Sequence, residues 1–153
     1  MNEIVNNEIN EGTEFGGFWI RVGAYFIDMV VLLIPVLLIS FLFRAASPAN
    51  DQLEEAIVDL IDSFLSIIVW WIYFAVMNSS EWQATVGKRV VGLKVVDENG
   101  NRISFGRATG RYFAEMLSGL ILMIGYMMVG WTKRKQGLHD MIASTYVVKV
   151  KPV

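Results

Sequence analysis

The chain has 153 residues, 54% of them apolar and 18% charged, with no cysteine and a net charge of −2. Its mean hydropathy is +0.46. Soluble domains usually carry about 25% charged residues, so the composition points to a membrane rather than to water. The missing cysteines exclude a disulfide framework and a thiolate metal centre. The near-neutral balance argues against nucleic acid as the main partner, and the length suits one domain.

Residues 1–14 form a polar, acidic tail without the basic n-region of a signal peptide, so the first hydrophobic segment is expected to be retained. Phe15, Phe18 and Trp19 bring aromatic side chains to a membrane edge. The first hydrophobic segment covers about 18–43. Between Arg21 and Arg44 its only charge is Asp28. Such a run spans about 33 Å as a helix, against a hydrocarbon core of about 30 Å. Pro35 is expected to kink or locally break it.

Asp51 and Glu54 read as a capped start for a second helix. This helix begins outside the membrane and contributes a hydrophobic segment at about 60–78. A basic loop, 81–108, follows. Asn99-Gly100 within it is a hairpin turn signal flanked by two short β-like runs. A third β-like run, 145–150, is expected to join that hairpin.

The third hydrophobic segment, about 112–132, either spans or re-enters. A full crossing places Arg21, Lys88, Arg89, Lys94, Arg102, Arg107 and Arg111 opposite Arg44, Lys133, Arg134, Lys135, Lys149 and Lys151, a split of seven against six. Re-entry leaves only Arg44 on the far side, and the positive-inside rule favours it. Its length, however, is that of a single span. The expected architecture is an all-α membrane bundle of two full spans and this third segment. A small β hairpin, joined by the last strand, lies on the cytoplasmic face with the N-terminus.

Asp28, deep in an apolar helix, marks an ion or proton pathway or makes a structural polar contact. Arg21 lies seven residues earlier on the same face, too far away to pair with Asp28 directly. It either snorkels to the interface or, if the third segment returns, meets Asp140. Lys88, Arg89, Lys133, Arg134 and Lys135 are expected at the membrane surface, setting topology and suited to anionic lipid heads. Glu55, Asp59 and Asp62 favour the exposed start of the second helix, with cation collection as the alternative. One histidine and no nucleophile motif point away from an enzyme, and no cofactor or metal ligand set is expected.

The segments Phe18-Trp-Ile-Arg21, Ala24 to Asp28, Thr85 to Arg89, Gly92 to Val95, Leu138-His-Asp140 and Ala143 to Val147 resemble the RDD family. That family is named for one arginine and two aspartates, which Arg21, Asp28 and Asp140 match. The resemblance covers 15–148, with Ser144 standing where many members have glycine. It implies a plasma-membrane protein linked to transport of an unidentified solute or cation, with Asp28 as the expected place for proton coupling. Two or three spans enclose little volume, so transport calls for a homo-oligomer. The alternative is a scaffold or accessory subunit binding another membrane protein or anionic lipid.

Overall fold

The computed structural model describes residues 13–120 and 127–150. Two long helices dominate: α1 (Phe18–Ala46) and α2 (Gln52–Ser79). Both are long and apolar enough to cross a bilayer. The large hydrophobic side chains of α1 point outward in quantity, among them Phe26, Val30, Ile34, Leu37 and Phe41. Such a surface belongs against lipid or another helix. Within a bilayer, a helix satisfies its own backbone polar groups, which makes it a viable spanning element.

The helix α1 runs unbroken through Pro35, so the expected local break does not occur. Its buried face is the stripe Ala24, Asp28 and Leu32, one helical turn apart each time. The start of α2 follows the capping logic closely. The Asp51 carboxylate accepts from Glu54 N at 2.8 Å, while the Glu54 carboxylate accepts from Asn50 N at 2.7 Å. At this end Arg44 clamps the helices together, 2.8 Å from Asp59 and 2.9 Å from Asp62. The pair is half-exposed, so its contribution is modest.

After α2 comes a short helix, α3 (Val86–Val90), capped by the Thr85 hydroxyl. Gly92, at φ 71°, turns the chain into strand β1 (Leu93–Asp97). Helix α4 (Phe105–Leu120) follows, and later in the chain come a 3-10 turn (Met128–Gly130), helix α5 (Leu138–Ile142) and strand β2 (Thr145–Lys149). The middle of the third hydrophobic segment, including Gly125, lies outside the described residues, as does most of the acidic tail.

The expected hairpin is corrected here. β1 pairs antiparallel with β2, with Val95 opposite Val147, and no return strand follows the 97–101 turn. The turn itself forms, with Gly100 at φ 80°. However, Asp97 captures its backbone locally: its carboxylate accepts from Asn99 N and Asn101 N at 2.9 and 2.8 Å. Ser104 then starts α4, accepting Ala108 N at 2.9 Å, which leaves too little chain for a second strand. The last run of the chain does join β1, as its sequence suggested.

Both sheet edges are covered. Gly16 N donates to Val147 O, and Lys149 N to Glu14 O, each at 2.8 Å. On the other side Val95 N donates to Gln83 O at 2.6 Å. Covering the edges protects a two-stranded sheet from pairing with other chains. Its inner face packs Leu93, Val95 and Val147 against Ile103, Ala108 and Ala75 in one core. Ser144 sits at φ 50°, the left-handed region that glycine occupies at least cost, which explains the glycine favoured there.

The tightest contact is between α3 and α1. A β-carbon built on Gly87 would lie 1.9 Å from the Ala24 carbonyl oxygen. Relieving that clash requires backbone movement, at a cost of about 1–3 kcal/mol or more. Gly87→Ala is therefore expected to lower the thermal midpoint of the purified protein by several degrees. An unchanged midpoint would mean that α3 does not lie against α1.

Candidate functional site

The buried face of α1 carries two polar centres, and each recruits elements distant in sequence. At the first, Asp28 is buried and surrounded by donors. Its Oδ1 accepts from the Tyr73 hydroxyl at 2.6 Å and from Gly87 N at 2.8 Å. Its Oδ2 accepts from the Thr85 hydroxyl at 2.6 Å. The Tyr73 oxygen in turn accepts from Val86 N at 3.1 Å. One carboxylate thus joins α1, α2 and the first turn of α3, where negative charge also suits the helix terminus.

At the second centre Asp140 is completely buried at the start of α5. Its Oδ2 accepts from Arg21 Nη1 at 2.5 Å and from Gly137 N at 3.0 Å. Its Oδ1 accepts from Arg111 Nη1. Arg21 also donates from Nε to the Gly16 carbonyl and from Nη2 to the Lys135 carbonyl, at 2.8 and 2.5 Å. Arg111 also donates to the Thr145 hydroxyl at 2.8 Å, and its Nε stands 3.3 Å from Glu115. Hence Arg21 does not simply snorkel. It pairs with Asp140, and a second guanidinium joins them.

Burial alone would raise the Asp140 carboxyl, but Arg111 and then Arg21 hold it well below the ordinary carboxylate range. His139 is buried too, and burial pushes its imidazole below its usual value. Its 3.8 Å approach to Glu115 is therefore that of a neutral ring at neutral pH.

The basic residues divide. Lys88 is not at the surface, as expected, but buried beneath α2. Its Nζ donates to Asn78 Oδ1 at 3.1 Å and lies 5.8 Å from the Phe74 ring centroid. Desolvation, aided by Arg111, lowers its ammonium to about 8. The reason is local: Gly87 draws α3 against α1, and the next side chain is carried inward. Arg89, Lys133 and Arg134 are exposed; Arg89 stacks on Trp82 at 4.0 Å, and Arg134 donates to the Tyr146 hydroxyl at 2.8 Å. Lys135 is half-buried, with Nζ 3.1 Å from the Gly130 carbonyl oxygen.

Sequence reasoning treated Arg111 as a loop charge and gave Glu115 no role. Ala108, Arg111, Ala114 and Ser118 occupy one buried face of α4, and that helical spacing was the available signal. Tyr73, Thr85 and Asn78 carried no comparable signal, because their partners come from separate elements.

Beside the second centre, a cleft of about 310 Å³ lies between α1, α2 and α4, lined by Tyr25, Trp70, Phe74, Tyr112, Glu115 and Met116. Helices of membrane-spanning character, tied by two buried carboxylates around an open aromatic cleft, define a small polytopic membrane protein.

The chain belongs to the RDD family, whose model matches residues 15–144. Among similar proteins is the uncharacterized protein YxaI of Bacillus subtilis, 39% identical over 86% of this chain and 95% of its own length. The uncharacterized membrane protein YteJ of the same organism is 32% identical over 90% of this chain and 82% of its own. A proline-rich antigen homolog of Mycobacterium tuberculosis is 29% identical over 86% of this chain and 62% of its own length. No solved structure matches.

Asp140→Asn strands two buried guanidiniums and is expected to cost about 3–5 kcal/mol. Arg21→Met should cost less, because Arg111 still neutralises Asp140. Denaturant unfolding in detergent checks the order, and equal or reversed costs would contradict it. Acid should destabilise the protein in two stages. His139, lowered on folding, penalises the folded state as pH falls below about 6.5; Asp140, also lowered, loses its contribution below about 3.9. A midpoint measured from pH 8 to 3 tests this, and a flat profile would contradict it.

Proposed function

We infer that this protein takes part in moving a small solute or cation across the cell membrane, working as a homo-oligomer. The observation that carries the reading is the aromatic cleft with Glu115 in its wall, adjoining buried Lys88. Ionisable groups at this depth, beside an open cavity, are uncommon unless they serve a pathway. The apolar outer face of α1 offers surface for further copies.

In this reading Arg21, Asp28 and Asp140 are the frame rather than the moving parts. Proton coupling was expected at Asp28; in this reading its carboxylate, bonded by Tyr73, Thr85 and Gly87 N, serves to join α1, α2 and α3. The third hydrophobic segment dips in and returns: Arg111 before it and Asp140 after it meet directly. The N-terminus, basic loop and last strand then share the cytoplasmic side, where Arg89, Lys133 and Arg134 are available to anionic lipid. The protein acts without enzymatic chemistry. A membrane scaffold or accessory subunit is the second reading, favoured by the saturated bonding of Asp28 and Asp140.

The native chain has no cysteine, so single cysteines report sidedness cleanly. Cysteines replacing Asn99 and Val150 should react from the same side, and one replacing Asn50 from the other. Labelling of Val150 and Asn50 from one side would overturn the returning path. Flux is tested in proteoliposomes with a trapped pH dye and external Na⁺, K⁺ or a quaternary ammonium salt. Cation-dependent proton movement is expected for the wild type. Its absence, with reconstitution verified, would remove transport by this chain alone and leave the scaffold reading.

A further inference from the structure

The cleft has a chemistry of its own. Four of its lining residues, Tyr25, Trp70, Phe74 and Tyr112, are aromatic, and the carboxyl group among them is that of Glu115. Ring faces carry negative potential and attract cations, most strongly organic ones that shed water easily. A hydrated metal ion asks instead for several carboxylate or carbonyl oxygens, and this lining offers one carboxylate side chain. An anion would meet carboxylate and ring faces together. The Glu115 side chain, 18% exposed, lines this cleft beside Arg111.

Phe74 is shared. It lines the cleft, and it also carries the Lys88 ammonium 5.8 Å from its centroid. The charges that act on Lys88 are Asp28 on α1, Arg111 and Glu115 on α4 and Asp140 on α5, while neutral Asn78 on α2 accepts from its Nζ. Any second positive charge in the cleft acts on this lysine through a poorly screened interior.

We propose that the cleft binds an organic ammonium cation against Glu115, and that its arrival drives a proton from Lys88 into water. This names the ligand class for the transport reading and rests on it only for the movement that follows binding. The lysine starts from an ammonium already lowered to about 8, so little added positive charge is needed near neutral pH. Affinity then rises with pH through that value, because the competing proton is lost. Ligand cation and proton exclude each other, which is the requirement for exchange.

The test is calorimetric titration of benzyltrimethylammonium into the full chain in lipid nanodiscs. It is run at pH 7.5 in phosphate and in Tris, with empty discs subtracted. Saturable binding is expected, with buffer-dependent heat corresponding to release of about half to one proton per cation. Trp70→Leu should weaken binding severalfold and Glu115→Gln about tenfold; the first remains informative should the second fail to fold. Lys88→Met should bind and show no buffer dependence. Failure of the folded wild type to bind, or equal affinity for benzyl alcohol, would overturn the ligand assignment. Buffer-dependent heat surviving in Lys88→Met would overturn the proton step. Binding without flux would defeat the transport reading and leave the site standing, whereas flux of inorganic cations without binding would do the reverse.

Discussion

A carboxylate removed from water is stable as an ion only if other groups replace its hydration. Asp140 obtains that replacement from two guanidiniums and a backbone amide, and each comes from a different part of the chain. Arg21 opens α1, Arg111 sits midway along α4, and Gly137 precedes α5. None of these elements can withdraw alone without leaving charge buried, and that penalty is several kcal/mol. The start of α1, the sheet, α4 and α5 are therefore bound into one face of the molecule.

Asp28 does the same work one face-repeat deeper. It fixes α3, a helix too short to persist by itself, by satisfying backbone and hydroxyl donors at its start. Close approach of that helix depends on Gly87, and burial of Lys88 follows from it. Lys88 is thereby carried inward beside this frame, its Nζ donating to Asn78 and lying over the Phe74 ring.

The spans were legible because a bilayer imposes a simple demand on sequence: long apolar runs with charges at their ends. The Asp51 cap was legible too, and the Arg21–Asp140 pair stood as one of two readings of Arg21, because charge asymmetry favoured both ends of the third segment on one side. The hairpin was misread for a physical reason. Asn99-Gly100 does turn, but Asp97 and Ser104 satisfy the neighbouring backbone locally, and the strand partner comes from about fifty residues later. Lys88 was misread because a basic residue in a basic loop looks solvated, and only the packing of Gly87 on Ala24 reveals otherwise. Arg111 had a readable helical spacing, masked by its place beside genuinely exposed charges.

The central claim is that the first residues of the membrane domain and the last strand lie together on one face. Phe15 bridges Val148 in the sheet, so the most direct test is oxidation of a Phe15→Cys, Val148→Cys double variant in intact membranes, read as an intramolecular disulfide by gel mobility. The account predicts efficient crosslinking in the double variant and none in either single variant. Two cysteines that fail to crosslink and react with an impermeant reagent from opposite sides would contradict it.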